Sequence, residues 1–167
     1  LFGTREAGAQ IAFMNNSGIR AALTPRDDGT ITFGDIYAVQ PFNNTLVTRT
    51  FSGAQLLGLL EQQFDDEGFV QTFSASRGFT LSYDMSRPMG QRVVSVMLDG
   101  KPIDPDTDYR VTMNSFLAAG GDSFTMFEQG AGSVVGAVDL DAFELWLAQE
   151  EVRRLPPTGR ITRIDQP

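Results

Sequence analysis

The hydrophobic period of the chain changes within one short stretch, and this limits the fold more than any other feature. Leu46 to Phe51 is rich in β-branched residues, the composition of a strand. Directly behind it Ser52 stands three residues before Gln55, the pattern of a helix capping box. Leu56, Leu57, Leu60 and Phe64 then recur at helical spacing, and Asp65-Asp66-Glu67-Gly68 ends the run. A strand that passes into an amphipathic helix without a linker places both on one core.

Other segments repeat the two periods. Ala9 to Asn15 reads as a short buried strand and Gly34 to Val39 as a short helix after the extended Ile31-Thr32-Phe33. Gly78 to Asp84 alternates through Phe79, Leu81 and Tyr83, as a half-buried strand does. Arg92 to Leu98 is a strand, and Asp99-Gly100 is a hairpin turn signal returning through Lys101-Pro102-Ile103. Tyr109 to Asn114 is a further strand. A last helix is expected from about Asp139 to Val152, with Leu140, Phe143, Trp146 and Leu147 on one face, Asp139 or Asp141 as its cap, and Pro156-Pro157 as its stop. Gly159 to Ile164 closes the chain as a short strand. With no repeat and no internal linker, this predicts one α+β domain, a mixed β-sheet flanked by helices.

Composition narrows the chemistry. The 167 residues contain no histidine and no cysteine. A zinc site of the usual N/S type, a cysteine nucleophile, a Ser-His-Asp triad and a disulfide framework are all excluded. Ser52 and Ser133 have no histidine base to activate them. The net charge of −8 argues against nucleic-acid partners. No apolar run reaches the length of a membrane span. The acidic Asp104-Pro105-Asp106-Thr107-Asp108 lacks the glycine and terminal glutamate of a calcium loop and reads as a turn. No metal ligand set is assigned.

Three loops, each next to a strand, hold the remaining chemistry. In Asn15-Asn16-Ser17-Gly18-Ile19-Arg20 a glycine beside an arginine suits a phosphate, because guanidinium donors and close backbone N–H groups both favour an anion. The same residues also suit an ordinary turn with a surface arginine. In Pro41-Phe42-Asn43-Asn44 the phenylalanine is a core anchor or an exposed stacking face. In Asn114-Ser115-Phe116-Leu117-Ala118-Ala119-Gly120-Gly121-Asp122 the aspartate either accepts bonds from a vicinal diol or caps the segment Ser123–Glu128. Two aromatics, a carboxylate and an arginine would together make a nucleotide site if the loops converge.

At these loops, in Gly34-Asp35-Ile36-Tyr37-Ala38-Val39-Gln40-Pro41-Phe42-Asn43-Asn44-Thr45-Leu46-Val47 and in the closing Gly159-Arg160-Ile161, the chain resembles the C-terminal domain of the 5′-nucleotidase family, most closely bacterial secreted 5′-nucleotidases and UDP-sugar hydrolases. The resemblance runs in order through nearly the whole chain. It implies a nucleotide-recognising domain of a phosphohydrolase that turns nucleotide and water into nucleoside and phosphate. Relatives acting on UDP-sugars or cyclic nucleotides, and a free-standing nucleotide- or nucleoside-binding module, are the alternatives. Residues 1–8 are then expected to be an irregular stub and 9–167 the substrate-binding domain, cut from a longer protein. The resemblance places a pair of divalent metals, Zn, Mn or similar, and the catalytic residues on an N-terminal metallophosphoesterase domain absent here, so this chain alone is expected to be inactive. It implies that Phe42 and Phe116 sandwich the base, Asp122 binds the ribose hydroxyls, Arg20 holds phosphate, and Asn15 with the Gly18 backbone lines the site. It also implies an extracytoplasmic location. One departure stands out: Ser17-Gly18 replaces the family's usual Gly-Gly before Ile19-Arg20.

Overall fold

The computed structural model describes residues 4–149 and 158–165. The expected α+β architecture of mixed sheet and flanking helices is present, and among the described residues nine strands divide into two sheets where one was expected. In chain order the strands are β1 (Ile11–Asn15), β2 (Thr45–Ser52), β3 (Phe73–Ala75), β4 (Phe79–Tyr83), β5 (Val93–Leu98), β6 (Lys101–Pro102), β7 (Asp108–Asn114), β8 (Ala131–Val138) and β9 (Ile161–Arg163). The helices are α1 (Phe33–Val39), α2 (Gly53–Glu61), the single turn α3 (Ser115–Ala118) and α4 (Asp139–Leu147). One sheet has the order β3-β1-β7-β2-β8 and the other β6-β5-β4-β9. Both are mixed, since β1 runs parallel to β7 and β4 parallel to β9 while the remaining pairs are antiparallel.

A ring cluster joins the sheets. Phe13 of β1 packs edge-on against Phe79 of β4 at 5.0 Å and tilts over Phe73 at 5.2 Å. Phe73 in turn meets Phe124 at 4.3 Å. Phe73, Phe79, Phe124 and Phe127 are essentially inaccessible, and each such side chain contributes roughly 1.5–3 kcal/mol by leaving water.

The strand-to-helix junction forms as the sequence predicts. Ser52 Oγ accepts from Gln55 N at 3.2 Å, and Gln55 Oε1 accepts from Ser52 N at 2.9 Å. Leu56, Leu59 and Leu60 of α2 are buried. The helix stops at Glu61, not at Phe64, where the backbone tightens to three-residue turns: Gln63 N bonds Leu60 O at 3.4 Å and Phe64 N bonds Glu61 O at 3.2 Å, while Gln63 Nε2 also donates to Leu60 O at 2.8 Å. The Glu61 carboxylate accepts from the backbone N–H groups of Arg92 (3.1 Å) and Val93 (2.8 Å), pinning the helix end to β5. Phe64 remains buried beyond the helix.

Other expectations need correction. Helix α1 begins at Phe33 because Thr32 and Asp35 form a capping box, so Phe33 is helical rather than extended. Strand β8 follows no hydrophobic pattern, since Ala131 to Ala137 are all exposed, and it reveals itself only through its pairing with β2. Helix α4 is preceded by Val138, and no side chain caps it; Asp139 and Asp141 lie inside its first turn. Within the described residues α4 ends at Leu147, and the expected extension over 150–152 and the Pro156-Pro157 stop lie outside them. Of the irregular stub, residues 4–8 are described, and Thr4 is buried with its hydroxyl 3.0 Å from that of Thr112.

Candidate functional site

Strand direction brings the three loops to one edge. Because β1 and β7 run parallel, both C-terminal ends emerge on the same side, with Asn15 and Asn114 as their last residues. Strand β2 is antiparallel to β7, and Leu46 pairs with Asn114, so the Pro41–Asn44 loop that enters β2 reaches the same edge. Sheet edges beyond strand carboxyl ends are where α/β folds commonly place ligands.

A chain of side-chain hydrogen bonds ties the edge together. Asn114 Oδ1 accepts from Leu117 N at 2.8 Å and caps α3, while its Nδ2 donates to Asn15 Oδ1 at 2.9 Å. Asn15 Nδ2 donates to Ser17 Oγ at 2.8 Å and to Asp122 Oδ2 at 2.9 Å. Ser17 Oγ donates to the same Asp122 oxygen at 2.7 Å. The loop after β1 and the loop after α3 are therefore joined across more than a hundred residues of sequence. A second tie joins the Phe42 loop to α3: Ser115 Oγ donates to Asn44 Oδ1 at 2.9 Å and accepts from Thr45 N at 3.2 Å.

The backbone near Asp122 is unusual. Gly120 has φ 77°, Asp122 φ 54° and Ser123 φ 67°, three residues in the left-handed region of which two carry side chains. Asp tolerates this region better than most residues, and such outliers persist where surrounding contacts over-determine them. The bonds from Asn15 and Ser17 are those contacts. Asp122 caps nothing: the 3-10 turn after it has no side-chain cap.

The two phenylalanines are not core anchors. Phe42 is 55% exposed and Phe116 is 44% exposed, whereas Leu117 beside the latter is fully buried. Phe116 lies directly over Gly121, where a Cβ would sit 2.6–2.7 Å from three ring atoms. Gly18 is buried, and a Cβ there would meet Met14 Cε at 2.7 Å and Asn15 Oδ1 at 3.0 Å. Arg20 is exposed; its backbone N donates to Val39 O at 2.9 Å and its Nη1 to Ser17 O at 3.2 Å. Among the described residues no carboxylate is ion-paired with it.

The structure thus brings Asn15, Ser17, Gly18, Arg20, Phe42, Phe116 and Asp122 to one edge. Asn15, however, is only 4% exposed and its amide is fully engaged, so it orients neighbours instead of presenting a free group. The sequence alone pointed to no role for Asn114 or Ser115, although an Asn between a strand and a short apolar turn is a recognisable cap signal. A groove of about 390 Å³ lies between residues 29–36 and the C-terminal end of α4, and none of its lining residues belongs to these loops. Among the described residues no group of three or more His, Cys, Asp or Glu is placed to hold a metal ion. No helix of the described residues is long and apolar enough to cross a membrane.

Residues 2–129 match the family model described as "5'-nucleotidase, C-terminal domain". The chain belongs to that family. Its fold is that of a crystallised 5′-nucleotidase precursor from Thermus thermophilus, with a TM-score of 0.85 and 38% identity, covering 98% of this chain and 33% of that one. Among curated relatives it is 35% identical to the trifunctional nucleotide phosphoesterase protein YfkN of Bacillus subtilis, over 96% of this chain and 11% of that protein. It is 38% identical to the cell wall protein Lmo0130 of Listeria monocytogenes, over 81% of this chain and 18% of that protein. This 5′-nucleotidase C-terminal domain therefore spans a third or less of the length of these relatives.

Proposed function

We propose that this domain recognises the nucleotide for a 5′-nucleotidase-type phosphohydrolase whose metal pair and catalytic residues sit on an N-terminal metallophosphoesterase domain of the same protein, outside the cytoplasm. The observation that carries the reading is the convergence of two exposed rings, Phe42 and Phe116, with the tethered carboxylate of Asp122 on one edge. Phe42 and Phe116 stack on the base, each face contributing roughly 1–3 kcal/mol. Asp122 accepts from the ribose. Arg20, exposed and without a carboxylate partner among the described residues, takes the phosphate. Asn15 orients Asp122, and Gly18 keeps the loop close enough for its backbone to line the site. The domain holds and orients substrate, and the bond is cleaved elsewhere in the protein. The Listeria relative's description as a cell wall protein supports the extracytoplasmic placement.

Calorimetric titration of the chain with adenosine and AMP in the presence of EDTA tests this. Saturable binding that weakens in Phe42→Ala and in Phe116→Ala is expected. No heat at millimolar nucleoside, or binding that both variants leave unchanged, would overturn it.

A further inference from the structure

Strand β8 ends one side of the five-stranded sheet, and among the described residues no strand lies beyond it. From this open edge we infer that a second copy of the chain pairs with it: two β8 strands meet antiparallel about a two-fold axis at Val135, and the two sheets become one. The pairing is independent of nucleoside binding.

The backbone leaves Val135 unpaired on the open side. Gln10 N donates to Arg110 O at 2.9 Å and Arg110 N donates to Gln10 Oε1 at 2.9 Å, so both polar groups of Arg110 turn toward β1. Bonding direction alternates from residue to residue along an antiparallel pair. Thr50, opposite Arg110, and Thr48, two residues before it, therefore turn their groups toward β8. Thr48 pairs with Val134 and Val47 with Val135, so Val135 points its N–H and C=O away from β2. Irregularities in the pairing fall on both sides of Val134-Val135 and leave that dipeptide in register. Such an edge is a template for another strand, and proteins commonly guard it with charge. Residues 129–138 carry no charge, in a chain whose net charge is −8. Val134 is 44% exposed and Val135 65%, and successive side chains point to opposite faces, so the strand is open on both.

The side chains fit a second copy. Two identical strands paired antiparallel about a two-fold axis set one residue opposite itself, because opposite residues share a face. With Val135 on the axis, its N–H and C=O exchange two bonds with their counterparts. Val134 then stands opposite Gly136 and Ser133 opposite Ala137, a larger side chain against a smaller one each time. Asp139 falls opposite Ala131, so no acid meets an acid there. Asp139 N donates to Asn44 O at 2.7 Å, which puts the C-terminal end of β8 beside the Phe42 loop. Antiparallel pairing therefore sends the two loop edges to opposite ends of the joined sheet and leaves both open.

Sedimentation velocity of the chain tests this. The wild type should pass from monomer to dimer between about 10 µM and about 1 mM, the weak range of a small interface. Val135→Lys sets a like charge opposite itself on the axis and should weaken association about tenfold or more. Val135 is exposed, so this variant keeps its fold, and its amide spectrum verifies that. The chain has no cysteine, so Val135→Cys gives a second readout. Opposite Cα atoms on the axis would lie about 5.5 Å apart, within disulfide reach. Oxidised glutathione should link Val135→Cys into a dimer and leave Val94→Cys, on β5 of the other sheet, monomeric. A wild type that stays monomeric throughout, association that Val135→Lys leaves unchanged, or equal cross-linking of the two cysteine variants would overturn the inference.

Discussion

Substitution of Gly121 by alanine isolates the stacking contribution. A Cβ at Gly121 would lie 2.6 Å from Phe116 Cε1 and Cζ and 2.7 Å from Cδ1. Such distances are not tolerated, and the obstacle is a rigid ring, so the whole ring must move. The backbone at Gly121 is outside the left-handed region and accepts alanine without strain. Phe116 is 44% exposed and free to swing outward, so the cost in stability should stay within about 1 kcal/mol. The cost in binding is larger. If the displaced ring no longer meets the base, one stacking face worth roughly 1–3 kcal/mol is lost, and adenosine should bind about fivefold to about 150-fold more weakly. Calorimetry on Gly121→Ala, Phe116→Ala and the double variant measures this. Once the ring is gone the alanine has nothing to displace, so the double variant should bind no more weakly than Phe116→Ala alone. Unchanged affinity in Gly121→Ala, or full additivity in the double variant, would refute the assignment of Phe116 as a stacking face.

Arg20→Ala should weaken AMP binding about tenfold while leaving adenosine within about twofold, because only the phosphate contact is removed; parallel titrations check this. Asp165 is paired with Arg163, Nη2 to Oδ2 at 2.8 Å, and this bond holds its pKa down at about 2. Its folded pKa lies below the unfolded one, so its stabilisation is present above the ordinary carboxylate range and is lost as pH falls from about 4 toward 2. Asp165→Asn should therefore lower Tm at pH 7, with the difference from wild type shrinking below about pH 4 and closing only as pH falls past about 2. Asp139 shows the opposite sign. Burial pushes its carboxyl up, and Oδ1 has no hydrogen-bond partner among the described residues. Its ionised form costs stability above the folded pKa, so Asp139→Asn should raise Tm at pH 7, with the gain shrinking as pH falls through that pKa; thermal melts across pH measure both variants.

Local signals were legible wherever one segment carried its own code. The Ser52–Gln55 capping box makes both of its bonds, and the Asp99-Gly100 turn adopts φ 50° and 77° as a two-residue hairpin requires. Strand β8 was not legible, because all but its last residue are exposed and no alternation marks it; its register comes from β2, some ninety residues away, with two irregularities. The division into two sheets was hidden for the same reason. The candidate site divides along similar lines. Its residue types were visible in three loops, but their meeting depends on the parallel β1–β7 pair, a long-range choice that no local pattern encodes. Ser17 is the clearest case. In the sequence it was a side chain where the family usually has glycine, and its bond to Asp122 became visible only when residues 105 apart came together.

The central claim is that a nucleoside lies at the edge where β1 and β7 end. Amide chemical-shift mapping of the 167-residue chain during an adenosine titration tests it most directly. Saturable shifts centred on Ser17, Gly18, Phe42, Asn43, Phe116, Gly121 and Asp122 are expected. Shifts centred on the groove between Thr30 and Leu147, or none at saturating nucleoside, would contradict it.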